Sequence, residues 1–430
     1  MFTSLANLYP LICLLAVFAL MLIGVRLRMG LGFSVLGGSL VLAFCFGMGP
    51  LDWALAGLDI FKDQATLLVW LVLSLILALS SLMESTQQVE RFMLALSRHI
   101  HSARIRLVFF PLLIGLLPMP GGAVFSAPLI QAVARKLAVP ELDKSLVNYW
   151  FRHTAEMTWP LFPAVILAAS MGGISTPQLV LYTCPLALGF FGAGWLCLVR
   201  GLRFPPLAEE DRQAEFASPA ERRASWREVL RQGSPIFLAL GGALGLELAL
   251  GLAFPSVPVD YAVPVALAVG LYCCLRQNGL GFADFVRAVV QRHVLSMIFV
   301  VGALGVFKII IEQSGLIEGL LHLSSGNAAL LLAAVAMPLL VGLVTGLLMA
   351  CVGITMPLLL ALVPAGETVL PWIALSLASG FVGAMFSPLH ICFVLSCQYF
   401  KVDMGRAWKR LPMPCLLFGL YGALYFFLMH

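Results

Sequence analysis

Among the ionisable side chains within or at the ends of long apolar runs, seven could do chemistry: Glu84, Arg152, His153, Glu156, Lys308, Glu312 and His390. A charge in hydrocarbon costs at least ~2.5 kcal/mol and faces a partner or water, so each is a candidate for moving protons or holding substrate. Arg152 and Glu156 are four residues apart and would share one helix face, with His153 beside them; Lys308 and Glu312 repeat that spacing. The competing reading of both pairs is a neutralised packing clamp. His390 follows Pro388 by two residues and can exchange a proton near neutral pH, or serve as a hydrogen-bonded packing residue. Glu84 ends its apolar run and is equally read as a solvated carboxylate, and Glu247, alone in an apolar helix, reads as a pairing residue.

A second set of candidates comes from the backbone. Pro118-Met119-Pro120-Gly121-Gly122, followed by Ser126, interrupts one apolar run, and Thr345-Gly346 interrupts another. Thr158-Trp159-Pro160 and Phe386-Ser387-Pro388 break two more. Proline and glycine stop a helix and leave its end amides without partners, where lipid can satisfy none of them. Ser387 before Pro388 reads as an N-cap and first helical position, so a half-helix is expected to start there. Half-helix N-termini carry partial positive charge and free N–H groups, which suits a carboxylate or another oxyanion. The expected substrate contacts are therefore Pro120, Gly121, Gly122, Ser126, Thr158, Thr345, Gly346, Ser387 and His390.

The elements that must position these residues are membrane helices. The 430 residues are 61% hydrophobic and 11% charged, and the mean hydropathy is +1.00. No soluble domain of this length has that composition, and helix-length runs without strand alternation exclude a β-barrel. The fold class expected is an all-α integral membrane protein with about 10 transmembrane helices plus two re-entrant hairpins. Spans are read near 10–25, 31–48, 65–83, 147–171 and 178–198, with a hairpin at about 105–133. After a charged linker at 200–232 the order returns: 235–254, 261–275, 294–311, a hairpin at about 330–363, 369–400 and 411–429.

The return is also visible in residue identities. Glu84, Thr86, Val89 and Glu90 correspond to Glu312, Ser314, Ile317 and Glu318, and Pro160-Leu161 to Pro388-Leu389, all at an offset of 228. Five spans per repeat is an odd number, so repeats 1–199 and 233–430 are expected to have inverted topology. With the N-terminus outside, every Lys and Arg except Lys62, Arg152 and Lys308 falls in an inner loop, as the positive-inside rule requires. The first cations, Arg26 and Arg28, follow the first apolar run, which is expected to be a retained span; both termini are expected outside.

Other function classes have no motif. His153-Thr-Ala-Glu156 is not H-E-x-x-H, and there is no G-x-S-x-G or P-loop, so neither a hydrolase nor an ATP-driven pump is indicated. The linker lacks the aromatic interleaving of a nucleic-acid module. Ten cysteines sit almost all in apolar runs without metal-ligand spacing and read as small buried apolar residues, not a disulfide framework. Neither cofactor nor metal is expected.

Three stretches carry a resemblance: P-M-P-G-G-A-V-F-S-A-P at 118–128, N-Y-W-F-R-H at 148–153 leading to W-P-L-F-P, and S-P-L-H-I-C-F-V-L-S-C-Q-Y-F at 387–400. They resemble an uncharacterised family of prokaryotic membrane proteins placed in the ion transporter superfamily, with gluconate, citrate, dicarboxylate and arsenite permeases and some sodium/proton antiporters. The resemblance implies an inverted-repeat secondary transporter in the inner membrane. Substrate would bind between hairpin tips and unwound helices, in a homodimer whose transport domains move like an elevator. Sodium-coupled dicarboxylate members have Ser-Asn-Thr signatures at the tips; here no side-chain oxygen precedes Ser126 in the first tip, and only Thr345 lies near the second. The expected function is thus ion-coupled secondary transport of a small organic anion, with the proton favoured over sodium. Glu84, Arg152, His153, Glu156, Lys308 and Glu312 are the coupling candidates. A cation/proton antiporter and a non-transporting scaffold or sensor docked through the linker are the alternatives.

Overall fold

The computed structural model describes residues 2–429 apart from 98, 101, 117, 119–121, 136–138, 203–218, 254–260, 317–329 and 365. All regular structure among the described residues is helical. The first half contains α1 (Phe2–Arg26), α2 (Leu31–Cys45), α3 (Pro50–Asp59), α4 (Gln64–Ser85), α5 (Gln88–Ser97), α6 (Ala103–Ile114), α7 (Ala123–Arg135), α8 (Glu141–Arg152), α9 (Pro163–Met171) and α10 (Thr176–Gly194), which runs into a π turn. The second contains α11 (Pro219–Ala253), α12 (Ala262–Gln277), α13 (Phe282–Val289) and α14 (Arg292–Gln313). Then come α15 (Met337–Thr345), α16 (Leu348–Leu362), α17 (Val369–Phe386), α18 (Ile391–Tyr399), α19 (Met404–Trp408) and α20 (Pro412–Met429).

Helix starts follow local chemistry. Asp63, Ser102, Ser175 and Asp403 accept hydrogen bonds from the backbone N–H groups of Thr66, Ile105, Gln178 and Arg406, capping α4, α6, α10 and α19. The short helices α3 and α13 begin alike: the N–H of Gly49 donates to Asp52 at 2.8 Å, and that of Gly281 to Asp284 at 2.9 Å. Residues 219–232, expected to be part of the polar linker, are instead the first turns of α11, with Pro219 opening the helix.

Five segments are long and apolar enough to cross a membrane: Thr66–Ser85, Thr176–Val199, Arg292–Gln313, Val369–Tyr399 and Met404–Met429. Their outward faces carry bare apolar side chains, among them Leu181, Leu188, Phe427 and Leu428, the area that lipid would cover. The composition and these helices are those of a membrane protein.

Helix bounds recur at one offset. α14 starts and ends 228 residues after α4, α18 starts and ends 228 residues after α9, and α17 starts 228 residues after α8. The elements nearest the middle of the molecule interleave the two halves: α18 packs on α7 and α8, and α16 packs on α9. An aromatic junction joins them, with Trp150 stacked on Phe190 at 4.2 Å and Phe190 in turn meeting Phe381 and Phe418.

α15 and α17 touch backbone to backbone. A Cβ at Gly342 would collide with the carbonyl of Gly380, and one at Gly383 with the carbonyl of Leu339. Glycine is required there by proximity. Gly383→Leu is expected to cost ~1–3 kcal/mol by overpacking, lowering the melting temperature in detergent, with Gly383→Ala intermediate. Melting at the parent temperature would show that these helices are not in contact.

Candidate functional site

The span expected at 147–171 is two helices in series, α8 and α9, separated by unwound residues 153–162. The span at 369–400 is likewise α17 and α18, separated by residues 387–390. Proline disfavours helical geometry in the residue before it, and Trp159, Phe162 and Ser387 stand before Pro160, Pro163 and Pro388. Turn bonds fill both gaps: Glu156 N–H donates to His153 O at 3.2 Å, Trp159 N–H to Ala155 O at 2.8 Å, and His390 N–H to Ser387 O at 3.3 Å.

Two glycines, Gly122 and Gly346, press against these breaks. The guanidinium of Arg152 occupies the space a Cβ would need at Gly122, and the backbone of His390 lies 2.9 Å from where a Cβ would stand at Gly346. Gly346 also has φ +66°, a left-handed conformation that ends α15 and turns the chain into α16.

Between gaps and tips is a cavity of about 180 Å³, lined among others by Pro118, Arg152, His153, Glu156, Gly346 and His390. Three helices begin on its wall: α9 at Phe162-Pro163-Ala164, α16 at Leu347-Leu348-Met349 and α18 at His390-Ile391-Cys392. None of the three has a side-chain cap. These three helix starts border the same space as the Arg152 guanidinium, and the partial positive charge of helix N-termini favours an anion there, although α9 opens on Pro163, which has no N–H to offer.

Two imidazoles meet at the cavity. His153 Nδ1 lies 2.6 Å from the carbonyl of Tyr149, and His390 Nδ1 lies 3.1 Å from that of Ala384. A carbonyl has no hydrogen to give, so each Nδ1 is the donor. The two Nε2 atoms then face one another 3.0 Å apart. Cys392 completes a buried trio whose donor atoms all lie within 4.8 Å of one another. The Tyr149 ring packs edge-on against both histidines at 5.2 Å.

The end of α17 is closed by side chains. The carbonyls of Ala384, Met385 and Phe386 accept from His390 Nδ1, from the Tyr149 hydroxyl at 2.9 Å and from Trp408 Nε1 at 2.9 Å. Nearby, Asn148 ties three segments together: it accepts from Ser126 at 2.5 Å and donates to Ala123 O and Ser396 Oγ, both at 2.9 Å.

Of the residues singled out from sequence, Arg152, His153, Glu156, Gly346 and His390 line the cavity, and Gly122 touches it through Arg152. Pro120 and Gly121 lie outside the described residues. Ser126, Thr158 and Thr345 donate their hydroxyl hydrogens within the chain: Ser126 to Asn148, Thr158 to Ala155 O at 3.4 Å, and Thr345 to Val341 O at 2.7 Å. Ser387 is not an N-cap; it ends α17, accepts from Leu389 N–H at 3.2 Å, and leaves the cap of α18 to His390. The helix-face pairing of Arg152 with Glu156 is replaced, because α8 stops at Arg152; Glu156 instead stands 3.8 Å from His153 Nε2.

Lys308 and Glu312 do form their pair, at 3.9 Å, but on an exposed stretch of α14 away from the cavity. Glu84, half-buried at the end of α4, is within electrostatic reach of Arg152. Cys392 and His293 are cavity residues that the sequence reading passed over. The His390-x-Cys392 spacing was the available signal, but its third member, His153, lies 237 residues away.

Tyr149→Phe keeps the ring and removes the donor to Met385 O. The buried carbonyl left unpaired is expected to cost ~1–3 kcal/mol, read as a lower melting temperature in detergent. An unchanged temperature would mean that this carbonyl finds another partner.

No curated protein matches the chain. Residues 11–209 and 246–429 match the family described as "Protein of unknown function (DUF401)". With nearly the whole chain covered, cavity residues included, this protein belongs to the DUF401 family.

Proposed function

We propose that the protein is an ion-coupled secondary transporter of a small organic anion such as a carboxylate. The observation that carries the reading is the convergence of three uncapped helix N-termini and Arg152 on one cavity. Transport sites are built in this way, from discontinuous helices whose N-termini point at an anionic group near the bilayer midplane.

On this reading α1, α2, α4, α8 with α9, α10, α11, α12, α14, α17 with α18, and α20 are ten crossings, and α6–α7 and α15–α16 are the re-entrant hairpins. The common offset of 228 in helix bounds and residue identities supports two inverted repeats. The charge distribution supports an inner-membrane orientation with both termini outside. A homodimer surrounded by lipid is the assembly proposed. The proton is the proposed coupling ion, because the side-chain oxygen nearest the second tip, Thr345 Oγ1, is already engaged, donating to Val341 O and accepting from Leu347 N–H.

The first test is thermal stability of purified protein with sugar acids, di- and tricarboxylates, oxyanions, sodium and lithium at two pH values. An anion at 100 times its dissociation constant stabilises by ~2.7 kcal/mol. That anion then enters a proteoliposome flux assay. Arg152→Gln is expected to weaken uptake by about ten- to a hundredfold through loss of a charged hydrogen bond, with Arg152→Lys intermediate. Stabilisation by sodium, lithium or pH alone, with every anion silent, would replace this reading with a cation/proton antiporter.

A further inference from the structure

We propose that His153 Nε2, His390 Nε2 and Cys392 Sγ form a binding site for one borderline divalent transition-metal ion, with Zn²⁺ as its probe. With their δ-protons committed to backbone carbonyls, the two imidazoles in their neutral forms present Nε2 lone pairs to each other at 3.0 Å. Lone pairs at that distance repel unless something positive lies between them. A third soft donor, the Cys392 sulfur, is buried on the same spot, with the three donor atoms within 4.8 Å of one another.

The outer contacts match those of metal-binding histidines, whose second nitrogen donates to a carbonyl or carboxylate and so fixes ring and tautomer. Tetrahedral zinc has Zn–N near 2.0–2.1 Å, which sets neighbouring nitrogens about 3.3 Å apart. The histidines would therefore part by only a few tenths of an ångström. One thiolate and two imidazoles suit zinc, nickel or copper ions over magnesium or calcium, which prefer oxygen.

Three protein ligands leave a fourth position, and it opens on the cavity. The Glu156 carboxylate stands 3.8 Å from His153 Nε2 and, with the thiolate, offsets the positive charge of Arg152 and the helix ends. Water or an anionic ligand of the metal would take that fourth position. The site also joins the two halves of the chain, since His153 leads out of α8 and Cys392 lies in the first turn of α18. The inference does not rest on transport, and its test needs no flux.

The test uses the detergent-purified full chain, stripped with chelator and titrated with Co²⁺ and Zn²⁺. One equivalent of Co²⁺ is expected to give visible bands of tetrahedral intensity and a near-ultraviolet sulfur-to-cobalt charge-transfer band, which Zn²⁺ displaces. Cys392→Ser is expected to abolish the charge-transfer band. His390→Gln is expected to weaken binding about a hundredfold or more, since loss of even an outer-shell partner costs ~10–100-fold. Should either variant fail to elute as a monodisperse folded species, X-ray absorption of the Zn²⁺-loaded parent decides, with two nitrogens and one sulfur expected in the first shell. No stoichiometric binding, a band that survives Cys392→Ser in folded protein, or a first shell without sulfur would overturn the proposal. In that event a shared proton separates the two rings.

Discussion

A peptide group released from a helix at membrane depth has no water to bond, so it must be satisfied by the protein or by a ligand. The middle of this molecule is organised by that constraint. The chain leaves helical geometry between α8 and α9, between α17 and α18 and at the tip of α15–α16, and each departure is closed by local bonds. The amide of Leu347 donates to the Thr345 hydroxyl at 3.2 Å and that of Leu389 to the Ser387 hydroxyl at 3.2 Å. Aromatic and imidazole donors take the last carbonyls of α17. The starts of α9, α16 and α18 have no side-chain cap, and all three border one cavity.

That distribution separates scaffold from site. The C-terminal side of the second break is tightly held, which fixes His390 through its own Nδ1 donation and places its Nε2 toward His153. The N-terminal sides remain chemically open. Groups held by a rigid frame need no reorganisation to meet a ligand. Close glycine contacts serve the same end: Gly122 admits the Arg152 guanidinium, and Gly346 admits the His390 backbone, each where a Cβ would collide.

Much of this was legible in the sequence. Membrane helices followed from run length and hydropathy, which depend on composition over about 20 residues and not on remote partners. The positions of the breaks followed from proline and glycine, whose backbone limits are intrinsic. The detail at Ser387 did not: a serine before proline is a good N-cap locally, yet α17 continues to Phe386 because its last carbonyls find donors in Tyr149 and Trp408, residues from α8 and α19. In the same way, the helical pairing of Arg152 with Glu156 presumed that α8 would continue, whereas α8 stops at Arg152 and residues 153–162 are unwound.

The sequence alone therefore determined which segments are apolar helices, where they are interrupted, and that charged residues stand near the interruptions, because each depends on neighbours in the chain. Tertiary structure decided which of those residues share a cavity. Lys308 and Glu312 have the spacing of a pair and form one, but the face of α14 that carries them turns outward. His153, His390 and Cys392 come together only because α18 packs on α8, closing 237 residues of separation to 3.0 Å between the two imidazoles. Spacing along a chain encodes local geometry; proximity across it is set by packing, which no single segment specifies.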